Sequence, residues 1–154
     1  MLVRSEVFRR LGGFDGDFFA HMEEIDFCWR AQLAGYRIRV EPRSTVFHVG
    51  GGTLPNNSPQ KIYLNFRNNL CMLFKNLSPG TFWPVLFSRM VLDGMAALVF
   101  LVQGHPDFFK KVFRAHIDFH RQRKSLHEKR RAIQRHRVAR PRGILRNSIV
   151  LLHA

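Results

Sequence analysis

Glu23, Glu24 and Asp26 place three carboxylates within four positions, the densest acidic cluster in a chain that has eleven acidic residues. On a helix that starts at Glu23, 3.6 residues per turn puts Glu23, Asp26 and Arg30 on one stripe with Glu24 at its edge. The same helix turns Ile25, Trp29 and Leu33 the other way. One face is predicted to be chemical and the other to be packing. A helix N-terminus favours ionised carboxylates, whereas crowding raises their affinity for protons. Such a cluster suits a general base or a metal ligand. It also suits an acid-rich first turn with Asp26 paired to Arg30 at i,i+4, and residue types alone leave both open. The Gly-rich turn before it, from Gly12 and Gly13 to Asp15 and Gly16, allows a ligand to come close to the helix start.

The elements around this cluster can be read in order. Val3, Val7, Phe8 and Leu11 predict a short amphipathic helix over 1–11, ended by Gly12 and Gly13. Gly35 stops the Glu23 helix, and 36–40 alternates as a strand closed by Glu41 and Pro42. A second short β run over 45–49 carries His48 near its end and leads into Gly50, Gly51 and Gly52. No Gly-Lys-Ser/Thr or GxGxxG follows these glycines, which excludes a P-loop or dinucleotide fingerprint. The loop over 54–59 reads as a mobile lid. The helix over 61–77 carries Ile62, Phe66, Leu70, Leu73 and Leu77 on one side, with Tyr63, Arg67 and Asn68 off that stripe.

The most apolar stretch is 81–103, long enough to cross a bilayer. Arg89 and Asp93 sit near its middle, each costing about 2.5–3.5 kcal/mol there, and their i,i+4 spacing lets them pair. The reading favours a helix lying in or dipping into a membrane interface over one that spans it and over one buried in a soluble core. From Phe108 onward, Phe109, Val112, Phe113, His116, Ile117 and Phe119 give an apolar stripe flanked by Lys110, Lys111, Arg114, Arg121, Arg123 and Lys124, as in a basic amphipathic helix on a membrane surface. The run 129–142 reads as a solvated tail.

The net charge of +14 is not evenly spread. Residues 110–146 hold fourteen Lys and Arg against Asp118 and Glu128, which leaves only +2 for the rest. Charge alone does not distinguish anionic lipid from nucleic acid. Nucleic acid is disfavoured because no aromatic residue lies among the basic ones past Phe119 to act as a stacking platform. Cys28 and Cys71 form no CxxC or Cys/His ligand spacing, so neither a disulfide framework nor structural zinc is expected, and Cys28 reads as a small packed residue. The first residues show no signal-peptide pattern, which makes a reducing, cytoplasmic compartment the default.

Taken together, Gly-Gly-Phe-Asp-x-x-Phe-Phe, Glu-Glu-x-Asp-x-x-x-Arg, Gly-Tyr-Arg, Pro42 and the run from Val46 to Gly52 resemble, in order and spacing over 11–53, the acceptor-side half of the family 2 inverting glycosyltransferases of the rhamnosyltransferase-like kind. The resemblance implies an α/β fold, a partial GT-A domain over 1–78, followed by membrane-associating helices over 79–128 and a basic tail over 129–154. It also implies transfer of a sugar from a nucleotide-sugar donor to a hydroxyl on a glycan or lipid-linked acceptor, with inversion, in cell-envelope polysaccharide or glycolipid synthesis. This would take place at the cytoplasmic face of the inner membrane, peripherally or through a single span.

The resemblance assigns Glu24 as the first choice of base, with Glu23 and Asp26 as alternatives. It places Gly12, Gly13, Asp15 and Arg67 by the substrate or diphosphate, and it makes His48 a ligand of a divalent cation, manganese or magnesium. The family's nucleotide-binding portion, which ends in an Asp-x-Asp metal motif, has no counterpart in the sequence. The 154-residue chain by itself is therefore expected to be inactive. The alternative from another class is a non-catalytic, membrane-associated fragment.

Overall fold

The computed structural model describes residues 1–45, 47 and 58–138. These residues form helices and connecting turns. α1 spans Ser5–Arg10, a 3-10 turn spans Gly16–Phe18, and α2 spans Glu23–Leu33. α3 (Pro59–Asn76), α4 (Pro79–Val102), α5 (Pro106–Arg121) and α6 (Arg123–Arg135) follow. α3 is the central helix and touches α2, α4, α5 and α6.

The glycine stops work as expected. Gly12 and Gly13 both have positive φ, +77° and +67°, and their N–H groups donate to Arg9 O and Phe8 O, closing α1 in a Schellman arrangement. Gly35 at φ +89° closes α2 in the same way. α3 starts at Ser58, whose hydroxyl accepts from the Lys61 N–H at 3.2 Å, with Pro59 as its first residue.

The core gathers around the second half of α3. Leu70, Phe74 and Leu77 are buried against Trp29 and Leu33 of α2, Phe82 and Leu86 of α4, Phe119 of α5 and Leu126 of α6. Phe74 meets Phe82 and Phe119 edge-on, with centroids at 5.1 and 5.7 Å. Each such buried side chain contributes about 1.5–3 kcal/mol by removal from water. Because helices pack on several sides of α3, the single stripe read over 61–77 widens: Leu64, Asn68, Cys71, Met72, Lys75 and Asn76 are buried as well.

Several sequence expectations need correction. The residues read as a strand, 36–40, form none, because no backbone among the described residues lies alongside to complete a ladder, and Arg37 to Val40 are exposed. The second β run, apart from Thr45 and Phe47, lies outside the described residues, as do His48 and the glycine triplet. The described residues hold no sheet, and the α/β architecture implied by the resemblance stays a proposal. Ile25, expected on the packing side of α2, is 48% exposed. Phe113 is 64% exposed, since α5 turns Val112, Ala115 and Phe119 inward.

The largest departure is in the region read as a solvated tail. Within the described residues, α6 is a helix docked on α3. Gln134 donates to the carbonyls of Lys75, Asn76 and Leu77, capping the end of α3, and Arg130 donates to Phe74 O at 2.6 Å while lying over the Phe82 ring. The long-range partners that decide this docking are not visible in local periodicity.

Candidate functional site

α2 does not separate a chemical face from a packing face. Asp26 is fully buried, and its carboxylate accepts from Arg30 Nε at 2.8 Å and Asn76 Nδ2 at 2.8 Å, with Lys75 Nζ at 3.0 Å. Arg30 continues past Asp26 to donate to Leu11 O at 2.6 Å and Gly13 O at 2.7 Å, tying the Gly-Gly turn to α2. Asp26 therefore joins α2, α3 and the Gly-rich turn, and its oxygens have no path to a substrate proton.

Asp15 is drawn into the same network. It accepts from Lys75 and Lys129, both at 2.5 Å, and Lys129 also bonds Asp17 at 2.6 Å. Burial pushes the Asp15 carboxyl upward, but hydrogen bonds and charge from Lys129 and Lys75 outweigh it and hold the group at about 2. The pairing with Asp15 and Asp17 in turn raises Lys129, against its own burial. With two lysines on it, Asp15 adds no net negative charge to the turn. Gly12 and Gly13 are taken up by the stop of α1, and a Cβ on Gly13 would meet the Phe8 ring at 3.1 Å.

The unusual geometry lies between the 3-10 turn and α2. Phe19, His21 and Met22 all have positive φ, at 62°, 67° and 73°, a strained conformation for side-chain-bearing residues. Asn68, buried in α3, holds this loop by donating from Nδ2 to the carbonyls of Phe18, Ala20 and His21 at 2.8–3.0 Å. Arg67 adds Nη2 bonds to Asp17 O at 2.8 Å and Phe18 O at 3.3 Å, and is itself steadied by Asn68 Oδ1 and the Tyr63 ring. The Tyr63 hydroxyl donates to Asp118 of α5, and burial pushes this phenol upward. Arg67 is half-buried, its guanidinium binds backbone carbonyls, and no carboxylate is paired to it among the described residues. Asn68 carries no sign of its role in the sequence, because an amide on a helix does not announce what it will hold fifty positions away.

This loop delivers Glu23 and Glu24. Glu24 is exposed at the start of α2, and Glu23 is half-buried, with Oε2 lacking a hydrogen-bond partner among the described residues. His21 Nε2 is likewise buried and unpartnered there. Two polar atoms without partners thus lie beside the strained loop. Of the predicted acidic trio, then, the structure leaves Glu23 and Glu24 at an accessible edge and removes Asp26 into the core. Cys28 is half-buried, its thiol raised by burial and the Glu24 charge, and burial drives Cys71 to about 11, so both cysteines behave as packing residues.

No three His, Cys, Asp or Glu side chains converge to hold a metal among the described residues. The carboxylates of the turn, Asp15 and Asp17, are already occupied by lysines. The described residues therefore do not fit a divalent cation, and His48 lies outside them.

A 48-residue stretch of the chain is 44% identical to the rhamnosyltransferase WbbL of Escherichia coli (strain K12), covering 31% of this chain and 18% of that protein. The similarity is to glycosyltransferases. Pre-mycofactocin glycosyltransferases from two Mycobacterium tuberculosis strains, CDC 1551 / Oshkosh and ATCC 25618 / H37Rv, are 42% identical over 48 residues, 31% of this chain and 10% of theirs. The matched stretch spans less than a fifth of the length of each of these relatives. No family model matches the chain. No solved structure matches it either.

Proposed function

We propose that these residues form the acceptor side of a family 2, inverting glycosyltransferase that moves a sugar from a nucleotide-sugar to a hydroxyl of a glycan or lipid-linked acceptor in cell-envelope synthesis, at the cytoplasmic face of the inner membrane. The observation that carries this reading is the 48-residue similarity to glycosyltransferases. The arrangement of Glu23 and Glu24 gives it chemical content. Inversion requires attack from the side opposite the leaving diphosphate, so a carboxylate must accept the hydroxyl proton on that side. Glu24 is exposed on a helix start whose approach loop is held by Asn68 and Arg67, which keeps the carboxylate in place. Glu23 is the second candidate, its partnerless oxygen being free to accept a proton or a substrate hydroxyl. Asp26, already held by Asn76, Arg30 and Lys75, serves as the anchor of the helix. Arg67 also positions the loop through the carbonyls of Asp17 and Phe18, and its role toward the diphosphate stays part of this proposal through the resemblance. The divalent cation belongs to this proposal through the resemblance alone, and no step is routed through it.

The test is a chimera in which the segment of this chain carrying Glu23 and Glu24 replaces its similar counterpart in the E. coli rhamnosyltransferase. Sugar transfer by the chimera is expected to survive, and Glu24→Gln within it to lower turnover by about 10²–10⁴-fold while leaving donor binding unchanged. A Glu24→Gln chimera working within a few-fold of its parent would remove Glu24 as the base. A chimera with the circular dichroism and thermal unfolding of its parent but no transfer at all would count against the acceptor-side reading.

A further inference from the structure

α4 is built inside out. Between Phe82 and Val102 its charged residues are Arg89 and Asp93, and both face inward. Asp93 is 1% exposed, paired with Arg89 at 2.7 Å and with His116 Nε2 of α5 at 3.1 Å. The inward stripe is narrow, running through Phe82, Leu86, Asp93 and Ala97. The face opposite this stripe is open and carries no charge: Trp83, Phe87, Met95, Leu98 and Val102 are 58–88% exposed. The helix is long and apolar enough to cross a membrane, so the question is how it would meet one.

We infer that α4 lies flat in the surface of an anionic lipid bilayer, its outer face among the acyl chains and its Asp93 side turned to the protein, and that it does not span. The argument comes from α5, which runs back along α4. Phe108 meets Phe100 near the end of α4, His116 meets Asp93 at its middle, and Phe119 shares the Phe74 ring with Phe82 near its start. Upright insertion of α4 would carry α5 into the hydrocarbon along its whole length. The side chains of Lys110, Arg114 and Arg121, 58–74% exposed on α5, would then have to leave water, which insertion strongly penalises. Lying flat, α4 presents the uncharged face from Trp83 to Val102, about 30 Å long, to the acyl boundary, while those cations remain in water and attract anionic lipid. The inference does not depend on the transfer reaction proposed above, and vesicle binding is read without any activity.

The test uses the full chain and vesicles with and without phosphatidylglycerol, with lipids brominated either near the headgroup or near the chain end. Trp83 supplies one fluorescent position, and the signal of the buried Trp29, measured in the Trp83→Phe chain, is subtracted throughout. Val91→Trp and Val102→Trp in a Trp83→Phe background supply the middle and the far end, and both replace exposed residues. The expected result is preferential quenching by the shallow bromines at all three positions, with binding strengthened by phosphatidylglycerol. Phe87→Glu with Leu98→Glu, also at exposed positions, is expected to lower partitioning by about tenfold or more without loss of helicity. Deep quenching at position 91 with shallow quenching at 83 and 102 would establish a span and overturn the inference. A lack of binding to either vesicle would overturn it as well, as would a stable dimer in lipid-free light scattering whose formation shields Trp83.

Discussion

Asp26 and Asp93 are both buried carboxylates, at 0% and 1% exposure, and both hold an arginine four residues away in their own helix. They differ in what surrounds the partner. Around Asp26, the side chains of Lys75 and Arg30 are 1% and 10% exposed, and each is also committed to another element, Lys75 to Asp15 and Arg30 to the carbonyls of Leu11 and Gly13. Around Asp93, Arg89 and His116 are 32% and 19% exposed, and Arg89 Nε has no partner among the described residues. A buried carboxylate is therefore not one kind of object. What its loss costs depends on whether the cations left behind can reach water. The first network is closed and fixes the relation of the Gly-rich turn, α2, α3 and α6. The second is open on one side and fixes only α4 against α5.

The comparison is broken most directly at Asp26. Asp26→Asn keeps the volume but sets an amide N–H against donors from Asn76, Arg30 or Lys75, and leaves cations buried with less compensation. Losing one partner of a buried ion pair costs about 3–5 kcal/mol. The variant is expected to unfold at markedly lower urea with the slope of the transition unchanged, and a loss below about 1 kcal/mol would show that the network is not closed in solution.

Next in size is the pH dependence of the Asp15 arm. Its carboxyl sits at about 2 in the folded chain, against an ordinary value of 3.8, so the unfolded chain binds the proton more tightly. The stabilisation is complete above about pH 4 and is lost as the pH falls through the folded value near 2. At 12% side-chain exposure the contribution is on the order of 2 kcal/mol. Lys129→Ala removes one of the two cations and is expected to move the onset of acid unfolding, followed by circular dichroism, upward toward pH 4. An unmoved transition would mean that Lys129 is not seated on Asp15, and with it that α6 is not docked against the turn.

These networks also show how far the sequence could be read. Arg30 with Asp26 and Arg89 with Asp93 follow from i,i+4 spacing, and the stops at Gly12, Gly13 and Gly35 follow from the chemistry of left-handed residues. The Glu23 start of α2 and the accessibility of Glu24 were legible as well. The burial of Asp26 was not, because it depends on Lys75 and Asn76, about fifty positions away. The docking of α6 depends on Asp15 and on the open end of α3, and a run as basic as that from Lys129 reads locally as solvated. The clamp of Asn68 on the loop from Phe18 to Met22 was equally hidden, since nothing in Phe19-Ala20-His21-Met22 announces three left-handed backbones.

The smallest expected effect is at Asp93, and it is the one that sharpens the comparison. Asp93→Asn retains an oxygen that can accept from Arg89, so the local hydrogen bond survives even though the charge is gone. Arg89 is about a third exposed, and its guanidinium can turn toward water. His116, on the neighbouring helix, keeps access to solvent of its own. The loss is therefore expected to be about 1 kcal/mol or less, the range of a partly solvated pair and well below that at Asp26. The same urea titration measures both variants, so their ratio is free of differences in method. Equal losses at the two aspartates would mean that partner exposure does not govern the cost. A loss at Asp93 exceeding that at Asp26 would instead make the α4–α5 contact, and not the closed network beneath the Gly-rich turn, the principal polar anchor of the fold.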